Sequence, residues 1–192
     1  MSHTPPRPQA PSSALLAWYN AVPNVFWSAL SLVPLSVFCY TWVERPWLYG
    51  LLAASLLTYA LPTAWFRYWQ LSRMPAAYRR LGVPTVNHFT QSGTFINRLI
   101  RRRYPAYRHV PTRAATTALV RTSYHQERFH GFLLLFFLSI SLDALVRHQV
   151  GWALLLTLIN VFYNVYPIWL QQYLRVRLGG RGAAPDSDKS AG

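Results

Sequence analysis

The chain has 192 residues, 52% of them apolar and only 12% charged, with a formal net charge of +14. That balance places it in a membrane and leaves no room for a separate soluble catalytic module. The lone cysteine, Cys39, excludes disulfide staples, and no nucleic-acid-binding signature accompanies the basic charge.

Residues 1–13 are Pro-rich and polar, and are expected to be disordered. Four apolar runs follow, at about 25–43, 47–66, 129–146 and 150–170. A helix needs about 20 residues to cross a hydrocarbon core of about 30 Å. The first run belongs to a longer apolar stretch from Leu15, with Pro23 and Pro34 as candidate kinks. It lacks a convincing cleavage site and another span follows, so it reads as retained. The third run is apolar only from Gly131 and is short unless Phe129 and His130 are counted with it, which puts His130 at the interface. Residues 14–178 form one membrane domain, and 179–192, rich in Gly, Ala and Ser, form a disordered tail. The expected fold is all-α, an integral membrane four-helix bundle with a basic cytoplasmic interfacial loop.

That loop, residues 67–128, carries twelve arginines and one acid, Glu127. Lys/Arg excess marks the cytoplasmic side. Both termini and the loop are therefore expected inside a cell membrane that the chain crosses several times. The tight turns Glu44-Arg45-Pro46 and Arg147-His148-Gln149 then lie outside. Within the loop, Gly93-Thr94 can start a helix with Phe95, Ile96, Leu99 and Ile100 on one face. Arg98, Arg101 and Arg102 lie around the other, a pattern suited to the headgroup plane, and Arg103 closes the cluster. These arginines can hold anionic lipid headgroups or the phosphates of a CoA-type donor. Tyr104-Pro105 ends this helix. A second is expected from Pro111-Thr112, running without a break into the third span.

Where that helix enters the membrane, Glu127 and His130 stand three residues apart on one face. A carboxylate beside an imidazole can fix its tautomer and raise its basicity, as a general base requires. The plainer reading is a pair that anchors the helix end. The fourth span carries Thr157, Asn160, Asn164 and Gln171 at spacings of three, four and seven, a polar stripe on one helix face. Such a stripe turns inward, to bond neighbouring helices or to contact substrate. Pro167 can bend the helix and expose carbonyls. Arg175 and Arg177 then leave the membrane on the Glu127/His130 side, where they can also serve as positive-inside anchors.

Several chemistries are excluded. His125 and His130 are five apart, about 140° around a helix, so they do not make a zinc-protease box and no metal site is expected. One Glu-x-x-His motif does not make a di-iron bundle. Gly-x-Ser-x-Gly, a Gly-rich nucleotide loop and His-x4-Asp are all absent.

The stretch Asn164-Val165-Tyr166-Pro167-Ile168-Trp169-Leu170-Gln171-Gln172-Tyr173-Leu174-Arg175-Val176-Arg177-Leu178 resembles the closing motif of a family of small membrane proteins. That family includes the glycosyl-diaponeurosporenoate acyltransferases of staphyloxanthin-type carotenoid synthesis. Its pattern is similar to Asn-Leu-Tyr-Pro, then Gln-Arg-Tyr-Asn-Arg-x-Arg-Leu. Thr122 to His130 falls on the family's Glu-Thr-Arg-Arg-Ala-Glu-x-x-His stretch, of which the second Glu and the His are kept as Glu127 and His130. Leu81-Gly82-Val83 to Gly93 resembles its approach to a glycine before a basic loop.

The resemblance covers roughly residues 80–178 and implies transfer of a fatty acyl group to a hydroxyl of a lipid-like glycoside, such as a carotenoid glycoside. On that reading His130 takes the hydroxyl proton and Glu127 orients the ring. The hydroxyl attacks a thioester of CoA or an acyl carrier protein. Asn164, Gln171 or Arg175 stabilises the oxyanion, and Tyr173 and Arg177 complete the substrate site. No cofactor beyond the donor is implied, and the partners are membrane lipids and the acceptor. The rival class is a non-enzymatic membrane protein that binds lipid or pigment, or scaffolds partner enzymes.

Overall fold

The computed structural model describes residues 11–86, 94–105 and 113–182. Residues 1–10 and 183–192 of the expected tails, Gly93 and Pro111-Thr112 lie outside them. All regular structure among the described residues is helical.

Helix α1, Ser13–Trp42, begins where the Ser12 hydroxyl accepts the Leu15 N–H at 3.2 Å, and it continues through both Pro23 and Pro34. After α2, Arg45–Leu56, comes a 3-10 turn, Leu57–Ala60, and then the short α3, Thr63–Tyr68. The second expected span is therefore not one helix. Leu61 is extended (φ −66°, ψ 132°), as the ring of Pro62 demands of the residue before it. The interruption leaves the Leu61 carbonyl without a helical donor. Arg128 supplies one, at 3.0 Å, while its guanidinium lies 5.5 Å from the Phe66 ring centre.

Two short helices, α4 (Pro75–Arg80) and α5 (Val83–Val86), are joined through Gly82, whose φ of +72° favours glycine. The amphipathic α6, Thr94–Arg103, follows as expected. Helix α7 runs unbroken from Arg113 to Val146. It closes in a Schellman turn: Gln149 N–H bonds Ala144 C=O at 2.8 Å, His148 N–H bonds Leu145 C=O at 3.0 Å, and His148 is left-handed. Next come α8 (Val150–Asn160), a π turn (Val161–Val165) and α9 (Tyr166–Gly182), which runs four residues into the segment expected to be a tail.

Three stretches are long and apolar enough to cross a membrane: Ser13–Trp42, Thr117–Val146 and Val150–Leu178. Contacts fix their relative direction. Ser28 meets Tyr163 and Phe38 meets Trp152, so α1 runs antiparallel to the α8–α9 rod. His130 meets Asn164 and Glu127 meets Gln172, so α7 is antiparallel to the rod as well. Helices α1 and α7 are thus parallel, and the segment from α2 to α3 has to return the chain between them. Its twelve-residue helix and four-residue turn rise about 26 Å together.

Helix α7 lies at the centre, touching α2, the 3-10 turn, α3, α8, the π turn and α9. The core joins Leu35 and Phe38 of α1, and Val43 just after it, to Phe137, Ile140 and Ala144 of α7 and Leu156 of α8. Outward faces stay apolar, with Val33, Val37, Leu138, Leu142, Leu154 and Leu158 all exposed. Water would penalise such a surface and lipid tails do not. At Gly131 an added Cβ would lie 3.2 Å from Thr58 Cγ2, so this glycine lets the 3-10 turn approach α7 closely beside His130.

Candidate active site

Two polar networks lie along the inner face of α7, about one helical turn apart. In the first, Glu127 is 1% exposed and both of its oxygens are taken by α9. Gln172 Nε2 donates to Oε1 at 2.7 Å, and Arg175 Nη2 donates to Oε2 in a salt bridge. Arg175 also donates from Nη1 to Ser123 Oγ at 3.2 Å and stacks 4.1 Å from the centre of the Tyr124 ring. The Gln172 carbonyl oxygen accepts the Leu71 N–H at 3.1 Å and lies 3.2 Å from the Tyr78 hydroxyl. Burial holds the Tyr78 phenol above its ordinary pKa, so it stays protonated and able to donate. Side chains four apart on α7 (Ser123 and Glu127) and three apart on α9 (Gln172 and Arg175) make this meeting possible.

The second network is a directed chain of three hydrogen bonds. Asn160 Nδ2 donates to the Leu134 carbonyl at 3.1 Å, and Asn164 Nδ2 donates to Asn160 Oδ1 at 2.8 Å. Asn164 Oδ1 then faces His130 Nδ1 at 3.3 Å. A backbone carbonyl can only accept, so it orients both amides in turn. The oxygen left for His130 requires a proton on Nδ1 and leaves the lone pair on Nε2. Pro167 has no N–H for the Tyr163 carbonyl four residues back. His130 is half-buried, with Phe129 and Tyr163 at its ring edges.

Glu127 and His130 share one side of α7 as the spacing predicts, yet each is held by different partners. Glu127 does not orient the imidazole, because Arg175 and Gln172 occupy its carboxylate. Asn164 takes that place.

The π turn decides which polar residues of the last rod face α7. Tyr166 N–H bonds Val161 C=O, five residues back, so the turn absorbs one extra residue. In a straight α-helix Gln171 would fall within about 20° of Asn160. With one residue absorbed, Gln172 takes that bearing and Gln171 swings about 80° away. Gln172 is accordingly buried and Gln171 half-buried, while Thr157, which precedes the turn, is exposed. The adjacent glutamines were a visible signal, but only the π turn distinguishes them.

The other expected site residues lie apart from these networks. Tyr173 packs against Tyr78 and Val83 in a small core, with Arg177 over its ring at 5.5 Å. Arg98, Arg101, Arg102 and Arg103 are exposed on α6, whose Ile96 and Ile100 are buried and which packs on α1. Sequence reasoning did not single out Arg67, Gln70 and Arg73. With Tyr124 and Arg175 they line an open cleft of about 390 Å³ beside the Glu127 network. Among the described residues no three His, Cys, Asp or Glu side chains converge as metal ligands.

A family model described as CrtO, glycosyl-4,4'-diaponeurosporenoate acyltransferase, matches residues 62–180. No curated protein and no solved structure matches the chain. The matched region starts at the Pro62 break and takes in α7, the π turn, both networks and the cleft.

Proposed function

The chain belongs to the glycosyl-4,4'-diaponeurosporenoate acyltransferase family, and from that membership we propose that it moves a fatty acyl group from a thioester onto a hydroxyl of a lipid-like glycoside. The family name supports acyl transfer broadly, and a carotenoid glycoside is the acceptor class it suggests. The observation that carries the chemistry is the chain Leu134–Asn160–Asn164–His130, which leaves Nε2 as the basic nitrogen of a half-buried imidazole.

In this reading His130 Nε2 takes the proton of the acceptor hydroxyl as its oxygen attacks the thioester carbonyl. The C–S bond then breaks, and the proton passes from His130 to the departing thiolate. General-base assistance of this kind contributes about 10²–10⁴ in rate. Glu127 acts by neutralising Arg175 and fixing Gln172, so it is a positioning residue. Asn164 is engaged in orienting the ring, which removes it as an oxyanion donor.

The same reading sets α1, α7 and the α8–α9 rod across the cell membrane, with α2 to α3 as a broken fourth pass. Both ends and the segment 67–128 then face the cytoplasm, following its arginine excess. The α6 arginines rest on anionic headgroups, since the apolar face of that helix is buried.

Lipid extracts of a strain lacking the protein provide the test, after complementation with wild type, His130→Ala or His130→Gln. The acylated glycolipid should return only with the wild type, while both variants remain in the membrane fraction. Its return with His130→Ala would overturn the catalytic reading and favour a scaffold or lipid-binding role.

A further inference from the structure

The cleft beside the Glu127 network has a one-sided charge. Its lining includes Arg67 at the end of α3, Arg73 in the segment that follows, Tyr124 of α7 and Arg175 of α9, with no acidic residue among them. Arg67 and Arg73 are exposed, and neither forms an ion pair among the described residues. Arg175 is only 8% exposed, its charge is matched by Glu127, and its Nε–H has no partner among the described residues. The cleft thus presents two uncompensated guanidinium groups around a wall that is already rigidly held. Planar guanidinium forks match phosphate oxygens in pairs, which neither a carboxamide nor a hydroxyl acceptor would require.

We propose that this cleft is a phosphate-ester site that takes the phosphates of a pantetheine thioester, the acyl donor of the transfer proposed above, on which the assignment rests. The geometry favours the donor over the acceptor glycoside, whose sugar hydroxyls carry no charge. Tyr124 and His130 lie six residues apart on the unbroken α7, about 9 Å of helix rise and about 120° around it. A donor held by its phosphates at the level of Tyr124 has to lay its thioester arm along and partly around α7 to reach His130. The donor phosphates are thereby assigned to Arg67 and Arg73, in place of the α6 arginines. A phospholipid headgroup offers the same phosphate chemistry, and the experiment separates the two sources.

The full chain, purified in a neutral maltoside detergent, is titrated with coenzyme A by calorimetry. The Arg67→Gln/Arg73→Gln protein should bind about tenfold more weakly or worse, as expected for the loss of charge-assisted bonds. An Arg79→Gln/Arg80→Gln control, altered on the exposed end of α4, should match the wild type. Equal binding by all three proteins would overturn the cleft assignment. In parallel, the wild type and cleft variant are recovered from nanodiscs of phosphatidylcholine with and without phosphatidylglycerol, and retained lipid is read by native mass spectrometry. Cleft-dependent retention of phosphatidylglycerol with no cleft-dependent binding of coenzyme A would overturn the donor assignment in favour of a headgroup. Gel filtration checks that each variant is monodisperse. The titration needs no acceptor and no turnover, so His130→Ala protein should still bind coenzyme A. Loss of the catalytic reading would therefore leave this measurement standing.

Discussion

Asn164 holds His130 through a contact of 3.3 Å between its side-chain oxygen and Nδ1 of the imidazole. That oxygen is turned toward the ring because the amide nitrogen behind it is committed to Asn160, and Asn160 to the Leu134 carbonyl. An imidazole so held presents a defined nitrogen to a reacting hydroxyl, whereas a freely rotating one presents either.

Asn164→Ala should therefore slow acyl transfer through kcat more than KM, by less than the 10²–10⁴ typical of losing a general base altogether. Asn160→Ala should have the same sign and a smaller size, since it disturbs the ring only through Asn164. Assays on isolated membranes with wild type, both variants and His130→Ala would give the order. An Asn164→Ala protein with unchanged kcat would remove the relay from the mechanism.

Glu127 and Arg175 are both buried, so neither charge is tolerable without the other. Glu127→Leu should destabilise the detergent-purified protein by about 3–5 kcal/mol, the usual cost of stranding one member of a buried pair. The double variant Glu127→Leu/Arg175→Met should recover much of that loss, because no unpaired charge remains. Thermal unfolding of the four proteins of this cycle measures the coupling. Strict additivity would show that the pair is not coupled.

The two neighbouring glutamines should behave differently. Gln172→Ala strands the Leu71 N–H and takes one of two donors from the buried Glu127 carboxylate, and should cost about 1–3 kcal/mol. Gln171→Ala, at a half-buried position outside both networks, should stay within about 0.5 kcal/mol of the wild type. Equal effects would mean that the register set by the π turn is not the one found here.

Gly131 is confined by Thr58 Cγ2, the far end of one side chain. In a Thr58→Ser background, which deletes that methyl and keeps the hydroxyl bonded to the Ser55 carbonyl, Gly131→Ala should raise the melting temperature. The gain should approach about 1 kcal/mol, the helix-propensity difference between the two residues. In the wild-type background the gain should be smaller. A larger gain with Thr58 intact would contradict the close approach.

Much of the architecture is legible in the chain read linearly. Helical class, the length of α1, the unbroken α7 and the amphipathic face of α6 all follow from hydropathy and its period, which are local properties. Even the interruption of the second apolar run is written in Leu61-Pro62, although a hydropathy window averages over it. Glu127, His130 and Asn164 are likewise recognisable as polar groups at membrane depth.

Which of those groups meet is a different matter, because it depends on segments distant in sequence. Glu127 pairs with Arg175, 48 residues away, and His130 with Asn164, 34 residues away, once α7 and the last rod lie antiparallel. The π turn then chooses Gln172 over Gln171 by absorbing a single residue, which turns everything after it by about 100°. Arg67 and Arg73 reach Tyr124 and Arg175 only because Pro62 breaks the returning pass and brings α3 against α7. Residue type and spacing thus fix what each helix can offer, while docking of the helices selects the partner, since a buried polar group bonds to whatever the neighbouring backbone brings within reach.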